Sequence, residues 1–236
     1  MVKLFHAKRI NLSKKKPERS IAKEVLAILN EKGIKKSEIG LIIHSGVYKI
    51  NFRAEPAFAS NIQKHMRLGD NTVSSGSTHA FSFDIMDGRC GSHHAIQVIN
   101  DIFEKFSSSY AILVVSDERP NSKHKDGNFE TGFVMIFSRE GNFELVNSEF
   151  SQDSSHSAIS HAIFDGKEHV EKITGEEITT TMESSESTFS ADSKFSSAEQ
   201  LGMFFDWCRN KTGDLEHIIY DTSGKTSKLC WRVIIE

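Results

Sequence analysis

Two short runs of unbroken apolar residues constrain this chain more than anything else in it: Ile39-Gly40-Leu41-Ile42-Ile43-His44 and Tyr110-Ala111-Ile112-Leu113-Val114-Val115. A strand with water on one face alternates apolar and polar residues. A run that is apolar at every position belongs to a strand covered on both faces, as in a parallel sheet between helices. The covering helices are legible too. Residues 17 to 33 carry Ile21, Val25, Leu26, Ile28 and Leu29 at helical spacing, with Pro17 suited to the first turn and Gly33 to the position just past the end. Residues 55 to 68 form a second helix that starts at Glu55-Pro56 and is closed by Gly69. After Gly88 and Gly91, the residues Ala95, Ile96, Val98, Ile99, Ile102, Phe103 and Phe106 mark a third with a broad apolar face. Between these lies Ala80-Phe81-Ser82-Phe83-Asp84-Ile85, alternating and β-forming; Gly132 to Phe137 with Phe143 to Val146 reads as a hairpin about Gly141-Asn142. Helices alternating with buried strands predict an α/β layered fold.

Beyond Ser148 the pattern weakens. Residues 148 to 200 are rich in Ser, Thr and Glu with no apolar period, and predict a long loop, a poorly ordered segment or an irregular strand pair. Order returns with a helix near 197 to 210, a strand at 215 to 220 and a terminal apolar element at 229 to 235. No short tandem repeat is visible. The expected organisation is one half over 1 to 147 and a smaller one over 148 to 236.

Charge narrows the function classes. Lys and Arg number 29 against 32 Asp and Glu, a formal net charge of −3, which is no footprint for gripping a phosphate backbone over a wide face. Nucleic-acid binding is not expected. No apolar run approaches the roughly 20 residues that span a bilayer, and the first nine residues lack the apolar stretch of an export signal. Three cysteines, Cys90, Cys208 and Cys230, are too few and too scattered for a disulfide framework or a zinc site, so a cytoplasmic location is expected.

Four blocks carry a resemblance. Ser37 to Tyr48, Glu55-Pro56-Ala57, Phe83-Asp84-Ile85-Met86-Asp87-Gly88-Arg89-Cys90-Gly91 and Ala111 to Glu118 resemble, in order and separation, blocks of the N-terminal half of ketoacyl-acyl-carrier-protein synthase III in the thiolase superfamily. The resemblance covers residues 17 to 147. It implies a thiolase-like layered fold, with the N-terminal half nearly complete and the C-terminal half reduced. It also implies a cysteine at the start of a buried helix, where helix-end N–H groups favour a thiolate able to attack an acyl thioester. Counted from Asp84, the position of the family's nucleophile falls on Arg89 and the glycine after it on Gly91, so Cys90 lies one residue beyond. The family's histidine fits best at Asp221, and an ionised carboxylate cannot donate to an oxyanion. The chain given ends at Glu236 with no block resembling the family's Gly-Asn-Thr-Ser loop.

Three readings of Arg89-Cys90 stay open. Cys90 is a buried helix residue beside a blocked pocket, or Arg89 grips an anionic acyl group or a phosphopantetheine phosphate, or Cys90 is a shifted nucleophile with His93 or His94 as base. The resemblance accordingly implies a non-catalytic subunit that binds an acyl chain, an acyl carrier protein or an active synthase, in fatty-acyl or polyketide-type biosynthesis. An acyltransferase using Cys90 and a regulatory binder of a small acyl ligand are the alternatives. A homodimer, or a heterodimer with a synthase-like protein, is implied through the strand Thr78 to Ile85, with Ala80, Phe81, Phe83 and Ile85 as its apolar positions and no Lys or Pro guarding it. His93 and His94 are read as pocket lining, since adjacent helix residues point about 100° apart and make a poor metal pair. His156 and His161 with Asp153 and Asp165 read as solvated loop residues, Lys123-His124-Lys125 as a solvated turn, and Gly224-Lys225-Thr226 lacks the upstream glycine of a phosphate loop. No metal or other cofactor is expected, and acyl-CoA is a candidate ligand.

Overall fold

The computed structural model describes residues 2–47, 57–68, 80–105, 107–117, 129–153, 180–185, 187–191, 197–221 and 224–234. In chain order these form β1 (Lys3–Asn11), α1 (Pro17–Glu31), β2 (Ile39–Ser45), α2 (Phe58–Met66), β3 (Phe81–Ile85), α3 (Gly91–Ile102), β4 (Tyr110–Ser116), β5 (Thr131–Ser138), β6 (Phe143–Gln152), β7 (Thr180–Ser184), β8 (Thr188–Ala191), α4 (Ser197–Cys208), β9 (Gly213–Tyr220) and β10 (Lys225–Val233). The strands make one sheet in the order β3-β2-β4-β5-β1-β6-β10-β9-β7-β8.

The two apolar runs are the strands they predict. Every residue of β2 is buried, as is every residue of β4 except Tyr110. Strand β2 lies parallel to both β3 and β4, and successive residues face opposite layers. Ile42, Ile112, Val114, Val134 and Ile136 pack with Ile21, Val25 and Ile28 of α1 and Ile62 of α2. Leu41, Ile43, Leu113, Val115, Met135 and Phe137 pack instead with Ala95, Ile96 and Ile99 of α3 and Leu201 and Phe204 of α4. Leu215, Leu229 and Trp231, from β9 and β10, join the same cluster. Helices α3 and α4 are thus an inner layer touched by both halves of the sheet, and α1 and α2 an outer layer on the first half. Among the described residues no helix is long and apolar enough to cross a membrane.

The expected hairpin about Gly141-Asn142 is corrected. Strands β5 and β6 are not neighbours, because β1 lies between them, antiparallel to β5 along its length and paired with β6 only at Lys3 and Leu4. The turn itself exists but closes on the N-terminal strand. Asn142 N–H donates to the Leu4 carbonyl at 3.2 Å, and Ile234 N–H donates to the Asn142 carbonyl at 2.8 Å. Glycine at 141 reflects that approach, since a β-carbon there would sit 2.3 Å from the Leu4 carbonyl oxygen. Turn chemistry is local and pairing order is not, so a correct turn signal gave a wrong neighbour. Strand β1 escapes the pattern because Lys8 and Arg9 interrupt it. Arg9 Nη1 and Nη2 reach Glu199 Oε2 at 2.6 Å and Asp206 Oδ2 at 3.0 Å on α4.

In the Ser/Thr/Glu-rich stretch, the described residues form a strand pair: β7 and β8 run antiparallel, with Ser184 N–H donating to the Ser187 carbonyl at 2.9 Å in the turn. Strand β6 continues to Gln152, past the expected end at Val146. Pro56, Gly69, Phe106, Lys123-His124-Lys125, His156, His161 and Asp165 lie outside the described residues.

Gly141→Ala is expected to push the turn off β1 and cost about 1–3 kcal/mol, as overpacking against fixed backbone does. A urea midpoint unchanged from the parent would contradict this account of the seam.

Candidate functional site

The residues between β3 and α3 are held by backbone geometry first. Gly88 has φ +51°, in the left-handed region, and any side chain there would also strike another group: a β-carbon would lie 2.1 Å from Asp221 Oδ2. The space Gly88 leaves open lets the Asp221 carboxylate approach, and Oδ2 accepts the backbone N–H of Arg89 at 2.7 Å. Asp221 follows β9 in a tight turn, with its own N–H donating to the Lys225 carbonyl at 2.8 Å and its carbonyl accepting from Gly224 at 3.0 Å. The two positions singled out in sequence, 132 residues apart, are therefore in direct contact. Arg89 itself is buried.

Cys90 is the residue on which α3 begins, and it is buried. Its Sγ lies 4.0 Å from the Ile219 carbonyl oxygen, a long contact in which the thiol is the donor. Burial pushes the thiol up to about 12, with the negative charges of Asp221 and Asp87 adding to it and Ser227 and Lys225 opposing. The adjacent histidines diverge as helical geometry requires. His94 Nδ1 sits 2.7 Å from Asp87 Oδ2 and its ring lies against Phe150 at 4.0 Å. Asp87 also pairs with Lys225, and these two partners outweigh burial to hold its carboxyl at about 2.

His93 turns inward, where sequence reasoning missed its partners. Thr180 Oγ1 lies 2.8 Å from His217 Nε2 and 3.2 Å from the Ile218 carbonyl oxygen. His217 Nδ1 in turn lies 2.9 Å from His93 Nε2, so the two rings share one hydrogen bond, in which one nitrogen carries the proton and the other accepts it. Both rings are neutral in this chain of bonds, fully buried, with Phe204 stacked on His217 at 4.6 Å. Burial drives His93 well below the ordinary histidine range and His217 to about 3. The one available signal was His217 itself, a polar residue in the buried register of β9 between Leu215 and Ile219.

Two further motif acids prove to be helix caps. Asp84, in the Phe-Asp-Ile block, accepts the N–H groups of Phe58 and Ala59 at 2.8 Å each, at the start of α2. Asp117 accepts from Ser197 N–H at 2.9 Å, at the start of α4, and from Val47 N–H at 2.6 Å. Phe81, Phe83 and Ile85 lie on β3, the terminal strand of the sheet, and Phe81 is 57% exposed; Ala80, just before it, is buried. Among the described residues no group of three or more His, Cys, Asp or Glu side chains is placed to hold a metal ion.

The histidine pair makes a pH prediction. Both are neutral in the fold and protonate in the unfolded chain near their usual 6.5, so the unfolded chain binds more protons in mild acid. Stability is complete above about pH 6.5 and declines as pH falls toward about 3, by about 1.4 kcal/mol per pH unit for each ring. Asp87, depressed from 3.8 to about 2, adds its losses only from about pH 4 downward. Urea midpoints between pH 7 and pH 4.5 should show the decline, and His217→Leu should flatten it by about half; a parent whose midpoint is flat over this range would refute the neutral pair.

No protein-family model matches this sequence, and no curated protein matches it. Solved structures do. A 3-oxoacyl-[acyl-carrier-protein] synthase III from Aquifex aeolicus VF5 superposes with TM-score 0.64 at 10% identity, covering 98% of this chain and 100% of the other. A tetronic acid condensing enzyme superposes with TM-score 0.61 at 8% identity over the same shares. Identities this low speak to architecture alone, and on that architecture the chain has the layered thiolase-like fold of the ketoacyl synthase III structures.

Proposed function

We propose that this protein is a non-catalytic ketoacyl synthase III-like subunit that holds an acyl chain or an acyl carrier protein, or pairs with an active synthase, in fatty-acyl or polyketide-type assembly. The observation that carries this reading is the Asp221 carboxylate on the Arg89 N–H, in the turn two residues before α3. Acyl transfer from a thioester needs a thiolate and then donors for the oxyanion of the tetrahedral intermediate. Here a resident anion already takes the backbone donor where such an oxyanion would be stabilised. Its charge also disfavours ionisation of the neighbouring Cys90 thiol. With that thiol at about 12, fewer than about one in ten thousand is ionised near neutral pH. His93 is committed to His217, and His94 to Asp87, so neither faces Cys90 as a ready base.

Intact-mass spectrometry after incubation with acetyl-CoA or malonyl-CoA tests this. No covalent acyl gain is expected, and Arg89→Cys alone should not confer condensation because Asp221 still occupies the donor. An acyl adduct lost in Cys90→Ala would overturn the reading in favour of an acyltransferase.

The partner surface in this proposal is β3. It ends the sheet, bears Phe81 exposed with Met86 exposed just after it, and carries no Lys or Pro to deter edge pairing. A dimer through β3, with a second copy or a synthase-like protein, covers that edge. Sedimentation at low micromolar concentration should give a dimer that Phe81→Asp dissociates; a folded 26.5 kDa monomer of the parent chain would refute self-pairing.

A further inference from the structure

The outer layer holds a surface unconnected with Cys90. Helix α1 and the end of α2 flank an open groove of about 1030 Å³, and the two helices pack on the face of the sheet opposite α3. Its cationic lining is Lys15, Lys16, Arg19, Lys23, Lys64 and Arg67, all exposed, and among the described residues no Asp or Glu lines it. Among the described residues none of these six forms an ion pair. Several cations outside the groove are paired: Arg9 holds Glu199 and Asp206, Lys14 holds Glu130, and Arg232 holds Asp214. In a chain of net charge −3, six unpaired cations along one groove are a concentrated positive field rather than a solvated background.

The geometry of the groove selects its occupant. Lys16, which precedes α1, and Arg19 and Lys23 on it fall at i, i+3 and i+7, and the groove continues past Leu26 to Asn30. That is a length of about 21 Å at 1.5 Å per residue. Its apolar lining is small: Ala22 is buried and Leu26 half-buried beside the cationic row, and Ala27 is exposed. A groove one helix long, with a small apolar lining and cations on both walls, is the complement of an amphipathic helix with a narrow apolar ridge flanked by carboxylates. Among the described residues no Phe, Tyr or Trp lines it to stack nucleic-acid bases, and a concave groove does not suit a flat bilayer surface.

We propose that this groove docks an acidic amphipathic helix of a partner protein. The assignment is independent of the acyl-handling reading, because it uses no residue on the Cys90 side of the sheet. The test is fluorescence anisotropy with a labelled synthetic helix of about 15 residues, Glu at positions flanking a Leu/Ala ridge, on the full-length protein. Saturable binding is expected, weakened at least about tenfold when salt rises from about 0.05 M to about 0.3 M. The combined change Lys16→Glu, Arg19→Glu and Lys23→Glu should weaken it at least as much, with circular dichroism unchanged because all three are exposed. Lys64→Glu, from the other wall, should weaken it independently. A peptide of the same composition with its carboxylates spread round the helix should bind at least about tenfold less tightly. Absence of peptide binding, or binding indifferent to these substitutions, overturns the proposal. So does the same set of substitutions abolishing binding to phosphatidylserine vesicles or to a single-stranded oligonucleotide while the peptide does not bind.

Discussion

A helix that starts inside a protein leaves backbone N–H groups with no partner in its own first turn, and leaving one buried and unpaired costs about 1–3 kcal/mol. This fold meets that demand at α4 with a carboxylate from the opposite half, and a second carboxylate returns the tie at the turn before α3. Asp117 follows β4 of the first half and accepts from Ser197 at the start of α4, in the second. Asp221 follows β9 of the second half and accepts from Arg89, in the turn two residues before α3, in the first. The two acids are topological counterparts. Read outward from the seam, β1-β5-β4-β2-β3 and β6-β10-β9-β7-β8 are the same order, so β4 matches β9 and α3 matches α4. Asp84 applies the same device within the first half, at the start of α2.

The repeat is one of topology and not of direction throughout. Strand β2 is parallel to β3 and β4, joined to them through crossover helices, whereas β7 is antiparallel to both β8 and β9. A four-residue turn at Ser184 takes the place of a crossover, and short turns permit only antiparallel neighbours. The second half therefore keeps the strand order while losing the βαβ handedness that β2-α2-β3 retains.

What could be read in advance follows from how far each signal travels along the chain. The unbroken runs of β2 and β4, the stripe of α1 and the start of α3 at Gly91 are local, and the structure reproduces them. The place of β1 between β5 and β6 depends on residues some 130 positions away, and its basic residues hide its pattern. The site divides in the same way. Arg89, Cys90, His93 and His94 stand out because they follow one another at a helix start, and Asp221 through the resemblance of its surroundings. The pairing of His93 with His217 and Thr180 joins three separate elements, and only the polar residue in the buried register of β9 hinted at it. Asp84 and Asp117 were visible as members of motif blocks, yet their work as caps could be assigned only once the helices they reach were placed.

The exchange of Asp117 and Asp221 bears on how the molecule comes apart. If the halves parted, Asp117 would leave the Ser197 N–H at the start of α4 and Asp221 would leave the Arg89 N–H in the turn before α3. Every partial opening along the seam thus breaks two bonds, one in each half, and re-forms neither. Intermediates with one half intact are penalised from both sides, so the halves are joined thermodynamically as well as by the chain: hydrogen exchange of the α3 and α4 amides reports the same opening, and the folding of one half is completed only by the arrival of the other.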